Sequence, residues 1–286
     1  MRDASQAPSS LSLMSFSMRS CLAVALLAAG LAASAPLAAQ TDDGTTFRWT
    51  GPIPSGRAIR LHNMNGDIRV ERAESGSKVE VVAERKVRRG NPKTVRFEVR
   101  TRSDGDVVVC ALWGEDMRCT DDGSRGSYRS GGNWSRGNEI DVVMRVRVPD
   151  GVKTVAHSTN GGISAEGLSS DVDASTTNGD INIRTTGGFV NATTTNGSIS
   201  ASLGRLTGDA PMRFTATNGS VTLFAPPSLS ADLEMTTVNG GLSSEFPITM
   251  TGRLPRNSIK ATLGQGGRSI VVRTTNGDVS LKRNGI

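Results

Sequence analysis

Short runs of alternating aliphatic and polar residues recur along the chain, and each is pinned to an Asn-Gly pair. The pairs are Asn65-Gly66, Asn160-Gly161, Asn178-Gly179, Asn196-Gly197, Asn218-Gly219, Asn239-Gly240 and Asn276-Gly277. Counting from the Asn, the third residue on is always aliphatic: Ile68, Ile163, Ile181, Ile199, Val221, Leu242 and Val279. The fifth is apolar again at Val70, Ala165, Ile183, Ala201, Leu223 and Leu281, with Ser244 the exception. Alternation with a period of two predicts a strand that buries one face.

Asn160, Asn178 and Asn196 are 18 residues apart, and a weaker copy lies midway. Ser169-Ser170 precedes Val172 and Ala174, and Gly187-Gly188 precedes Val190 and Ala192. The unit is therefore a turn plus a strand, and two units make one coil. A fixed period of this kind marks a stacked architecture. The expected fold is all-β: a single-domain β-solenoid (β-helix) of about 18–22-residue coils with an irregular N-terminal cap. Asn-Gly is also a strong hairpin signal, so an antiparallel meander fits the same spacing. The likeness of successive 18-residue units favours stacking. Residues 158–204 keep the register, and the later spacings of 22, 21 and 37 imply loops or extra strands.

Asn and Gly tolerate the left-handed backbone region, which suits a corner. Stacked Asn amides would hydrogen-bond in a ladder. Thr159, Thr177, Thr195, Thr217 and Thr275 would form a second column. Ile, Val and Ala fill the predicted interior, as a narrow coil requires.

Residues 57–70, 78–86, 95–101 and 107–111 also read as strands and form the expected early coils or cap, which shields a solenoid's end. The chain thus divides into residues 1–39, a leader; 40–155, an N-terminal β region; and 156–286, the regular repeats, continuous with the preceding region. The leader has a basic start at Met18-Arg19, an apolar run over 22–31 and small residues up to Ala38-Ala39-Gln40. This is the pattern of a secretory signal peptide. Its apolar run is too short to span a bilayer. The expected location is outside the cytoplasm: periplasm, cell surface or medium. No transmembrane span is expected in the mature chain.

Export changes the reading of the cysteines. Cys110 and Cys119 remain after the leader, and an oxidising compartment lets them pair across residues 111–118. Two buried free thiols are the alternative. The net charge is +6, and removing Arg2, Arg19 and Asp3 with the leader leaves +5. Residues 56–103 hold 13 Lys/Arg against 6 Asp/Glu, whereas residues 160–286 hold 10 against 9. In an exported protein such a basic part suits anionic envelope polymer or lipid headgroups rather than nucleic acid. A Gly/Arg-rich insertion loop over 121–138 carries Arg125, Tyr128, Arg129, Trp134 and Arg136, residue types common at contact hot spots.

The run Glu139-Ile140-Asp141-Val142-Val143-Met144-Arg145-Val146-Arg147-Val148-Pro149, followed by Thr159-Asn160-Gly161-Gly162-Ile163 and Thr177-Asn178-Gly179-Asp180-Ile181, resembles a bacterial adhesin-type domain family of unknown function. The resemblance covers roughly residues 45–286. It implies a β-solenoid, envelope association and no assigned catalysis.

Catalytic candidates are few. His62 and His157 are the only histidines, each on a predicted strand with polar neighbours. No nucleophile elbow or zinc helix motif occurs. Asp67, Asp180 and Asp278 recur two residues after the Asn and could in principle supply an acid and a base on an outer face. No cofactor or metal is expected. The sequence therefore predicts an exported, non-enzymatic interaction or scaffolding module, adhesin-like, at the bacterial envelope. Its partner would be an envelope polymer, a surface glycan or a protein. A polysaccharide-active β-helix enzyme and an envelope-stress sensing component are the alternatives.

Overall fold

A computed structural model describes residues 38–74, 78–126, 138–206, 208–248 and 257–284. The leader lies outside the described residues, apart from its last two positions. Among the described residues there are 23 strands, one 3-10 turn and no α-helix.

In chain order, β1 (Ala39–Asp42) and β2 (Thr46–Gly51) form a hairpin, and β3 (Ala58–His62) and β4 (Ile68–Arg72) flank the first Asn-Gly pair. Then come β5 (Val79–Arg89), the 3-10 turn Pro92–Thr94, β6 (Val95–Thr101), β7 (Val107–Trp113), the small hairpin β8 (Arg118–Thr120) and β9 (Gly123–Arg125), and β10 (Glu139–Val148). Coil pairs follow: β11 (Lys153–Asn160) with β12 (Ile163–Leu168), β13 (Val172–Asn178) with β14 (Ile181–Thr185), and β15 (Val190–Asn196) with β16 (Ile199–Ser202). The last are β17 (Met212–Asn218) with β18 (Val221–Ala225), β19 (Ala231–Asn239) with β20 (Leu242–Ser244), the single β21 (Ser258–Leu263), and β22 (Ser269–Asn276) with β23 (Val279–Arg283).

Each coil places one strand in each of two sheets. The front sheet runs β1-β2-β5-β10-β4-β12-β14-β16-β18-β23-β20, and the back sheet runs β21-β19-β22-β17-β15-β13-β11-β3-β7-β6. Coil neighbours pair in parallel, so equivalent residues stack. Ile163, Ile181 and Ile199 stand in register, continued by Val221 and Val279. On the back sheet Ala174, Ala192, Phe214 and Val272 line up. The inward residues of both sheets join in one apolar core. The molecule is a β-solenoid. One expectation fails inside it: Phe214 is fully buried next to Ala192 in this column, so the interior does admit a large ring.

The Asn-Gly corners divide their work. From β11 onward each Asn closes its strand, and the Gly makes the turn. At Gly197 the backbone has φ 150°, and a Cβ would stand 2.0 Å from the Gly179 carbonyl oxygen. Only glycine lets successive corners approach so closely. The seven Asn side chains form one continuous ladder. In the spatial order Asn65, Asn160, Asn178, Asn196, Asn218, Asn276, Asn239, each amide nitrogen after the first donates to the amide oxygen of the Asn before it at 2.7–2.8 Å.

The threonines just before these Asn are exposed. The hydroxyls that tie coils together lie one residue earlier and point inward. Thr176, Thr194, Thr274 and Thr237 donate to the carbonyls of Gly161, Gly179, Gly219 and Gly277 at 2.7–3.0 Å. These carbonyls lie at half-buried corners, where the buried threonine hydroxyls supply them with donors.

The ladder order departs from chain order at its end. The last coil, β22–β23, is inserted between β17–β18 and β19–β20. β21 then caps the back sheet antiparallel to β19. At the other end β1, β2, β5 and β10 extend the front sheet and β6 and β7 extend the back sheet.

Candidate functional site

Asp67, Asp180 and Asp278 do not assemble into an acid–base pair. Each is engaged by the backbone of a neighbouring coil: Gly162 N–H donates to Asp67 at 3.1 Å, Ser198 N–H to Asp180 at 2.8 Å and Gly241 N–H to Asp278 at 2.7 Å. They serve the stack by satisfying amides at the corner. Among the described residues no three of His, Cys, Asp and Glu come together as a metal site.

A second feature lies on the outer face of the back sheet. All seven residues of β7 are buried, although only Val107, Val109, Ala111 and Trp113 face the main core. Val108, Cys110 and Leu112 point the other way and pack with Met117 and Cys119. The β8–β9 hairpin therefore covers this face, and a disulfide between Cys110 and Cys119 fastens it. The hairpin takes up residues 118–125, so the stretch read as a loop from residue 121 begins with the hairpin's turn and its second strand.

Beside the hairpin, His62 and His157 are cross-strand neighbours in the parallel pair β3–β11. Their rings stack at 4.9 Å between centroids with 24° between planes. Gly123 lies so close over His62 that a Cβ there would stand 2.3 Å from its ring. The sequence offered no sign of this pairing, because 95 residues separate the two.

Burial, then His157 and Arg60, push the His62 pKa down to about 4. His157 is also lowered, by burial first, with Asp173 opposing and Arg60 adding. An unfolded histidine titrates near about 6.5. Between that value and about 4 the unfolded chain binds more protons than the folded one, so stability rises with pH there. It is full above about 6.5 and is lost progressively as pH falls toward about 4. Urea midpoints measured from pH 7.5 to 4.5 will show this slope, and His62→Gln/His157→Gln will flatten it. Carboxylates held low by cations, such as Glu84 beside Lys86 and Arg145, add slope of the same sign only from about pH 5 downward. An unchanged slope in the double variant would remove the histidines as its source.

The positive excess of residues 56–103 is mostly cancelled where it stands. Arg60 pairs with Asp106 at 2.8 Å, Arg85 with Asp42 at 2.7 Å, Arg69 with Asp67 at 3.2 Å and Arg96 with Glu98 at 3.2 Å. Arg72 pairs with Asp150. Away from these pairs, one group of exposed cations stands at the turn from β5 to β6, while Arg57 and Lys78, also exposed, lie outside it. Lys86 reaches Glu84 at 2.7 Å, and Arg88 lies 3.6 Å from Asp141, with both side chains largely exposed. Arg89 and Lys93 complete the cluster without a carboxylate partner among the described residues.

The chain also returns at this place after residue 137. Asn138 accepts a hydrogen bond from the Asn91 N–H at 3.1 Å. Of the expected contact residues, Arg125 is exposed and pairs with Asp122 at 3.2 Å. Tyr128, Arg129, Trp134 and Arg136 lie outside the described residues. No helix among the described residues is long and apolar enough to cross a membrane.

No curated protein matches the chain. Among solved structures, a candidate cell-adhesion protein from Clostridium sporogenes is similar over 86% of this chain and 100% of its own, with 12% identity and a TM-score of 0.47. A candidate adhesin from Bacteroides fragilis is similar over 84% of this chain and 97% of its own, with 10% identity and a TM-score of 0.38. Residues 57–282 match the family described as Toastrack DUF4097, and over that span, most of its length, the chain belongs to this family of unknown function.

Proposed function

We propose that the protein is an exported, non-enzymatic interaction module of the bacterial envelope that holds an anionic envelope polymer at the β5–β6 turn. One observation carries this reading. Most cations of the N-terminal third are neutralised, yet Arg89 and Lys93, without a carboxylate partner among the described residues, stand beside the exposed and paired Lys86 and Arg88 at one end of the stack. The Arg- and Trp-bearing segment 127–137 joins the described chain beside it. Exposed cations in a row attract a polyanion over a Debye length, about 8 Å at physiological salt. The adhesin names of the two solved structures agree with a contact role for relatives of this kind.

Cosedimentation of the mature protein with purified anionic cell-wall polymer tests it. Binding should weaken steeply with salt. It should fall at least tenfold in Lys86→Glu/Arg88→Glu/Arg89→Glu/Lys93→Glu, whose changes are exposed and leave the stack intact. Absence of binding, together with release of reducing sugar from a polysaccharide, would overturn the reading in favour of an enzyme.

A further inference from the structure

Among the described residues two arginines are nearly buried, and only one of them is fully partnered. Arg85, 8% exposed, lies over the Phe97 ring with its guanidinium carbon 4.6 Å from the centroid. Its two terminal nitrogens grip the Asp42 carboxylate at 2.8 and 2.7 Å, and its Nε donates to the Val95 carbonyl at 3.0 Å. Arg268, 4% exposed, lies in the same way over Phe189, at 5.2 Å. One terminal nitrogen donates to the Gly208 carbonyl. Its Nε has no partner, and no carboxylate among the described residues reaches ion-pair distance.

A buried guanidinium without a close counter-charge is expensive, so such groups are normally paired; Asp209 acts on Arg268 only from beyond ion-pair distance. Arg268 lines a cleft of about 680 Å³ at the corner opposite the Asn-Gly turns. Arg205, Ser228 and Ser230 line it too, with Asp209 as the single acid. Arg205 and Ser228 are exposed, and neither side chain has a hydrogen-bond partner among the described residues. Ser230 accepts only a long bond, 3.4 Å, from the Gln265 N–H and keeps its own proton to donate.

We infer that this cleft is a binding site for a small carboxylate- or phosphate-bearing ligand, whose anionic group supplies Arg268 with the close counter-charge that Asp42 supplies to Arg85. The planar guanidinium fork fits either anion through two parallel N–H bonds. Arg205 adds a second cation at the rim, and the serine hydroxyls donate to the remaining oxygens. The cleft has room for a monosaccharide-sized body behind the anion. Its occupant is independent of the polymer proposed for the β5–β6 turn.

The test follows the Arg268 Nε–H resonance by NMR while galacturonate or glycerol 3-phosphate is added, with galactose and glycerol as neutral controls. A saturable shift with either anion and none with the neutral compounds is the expected result. The responding anion tells whether the source is a carboxylated sugar or a phosphate ester. Arg268→Gln should abolish binding. Arg205→Glu, an exposed change that does not depend on the buried residue folding correctly, should weaken it at least tenfold. A resonance unmoved by both anions, an equal shift with galactose, or undiminished binding by Arg205→Glu would overturn the site.

Discussion

Ile181→Asp should destabilise the protein by about 4 kcal/mol or more, enough to unfold a domain of ordinary stability under mild conditions. Ile181 is fully buried at the middle of the front-sheet column, between Ile163 and Ile199. Its own N–H is held by the Ser198 carbonyl at 2.9 Å, so the backbone cannot swing the new side chain outward. The surrounding inward positions are apolar and offer no cation. The carboxylate must therefore ionise without a partner, take up a proton or pull water between the sheets. Asn182→Asp supplies the control, since Asn182 points outward on the same strand and is exposed. It should change stability by less than about 0.5 kcal/mol. Urea unfolding followed by circular dichroism compares the two, and equal midpoints would remove Ile181 from the core.

The second large effect needs only one methyl group. Gly197→Ala should cost about 3–5 kcal/mol, a drop of roughly 10 °C in midpoint for a domain of this size. The added Cβ would stand 2.0 Å from the Gly179 oxygen and 2.5 Å from its carbon. Both are backbone atoms of the neighbouring coil, so no rotamer change relieves the clash. The coils cannot part either. Gly197 N–H is bonded to the Asn218 carbonyl at 2.9 Å, and the Asn196 amide is bonded to its neighbours on both sides. The φ of 150° adds strain for any residue with a side chain. Ser198→Ala, one residue on, removes only an acceptor for the Ser220 N–H at 3.3 Å and should cost about 1 kcal/mol or less. A Gly197→Ala protein that melts with the wild type would mean that the corners do not stack this closely.

The solenoid could be read from the sequence because coil length and register are the same fact. When Asn160, Asn178 and Asn196 recur at equal spacing, Ile163, Ile181 and Ile199 must fall in one column. Stack order is a different matter. Asn239 and Asn276 carry the same phrase, and nothing local in either tells that the later one lies inside the earlier one. The 37-residue gap between them showed only that something intervenes. The same limit hid the histidine stack. His62 and His157 meet because residues 73–152 leave the array, extend both sheets beyond β4 and β3, and return.

Charge was the poorest guide to the surface. The surplus in residues 56–103 counts Arg60, Arg72 and Arg85, whose acidic partners Asp106, Asp150 and Asp42 lie outside that window. Ion pairs across strands are invisible to a running sum. Arg268 shows the converse, since it sits among glycines in a near-neutral stretch, and only burial distinguishes it from a solvated arginine.

The inserted last coil also governs how the chain can come apart. A terminal layer of a stack can peel away one hydrogen bond at a time. β22 and β23 are bonded on both edges, to β17 and β18 on one side and to β19 and β20 on the other. Asn284 then anchors the chain beyond them, through its N–H to the Ala225 carbonyl and its amide to the Leu203 carbonyl, both at 2.8 Å. A pull on this end therefore loads two rows of bonds in each sheet in shear, all at once. The opposite end differs, for β1 has four exposed residues and, among the described residues, a single neighbour. The fold is thus mechanically polar: it can unzip from its beginning, whereas its end is clamped within the stack.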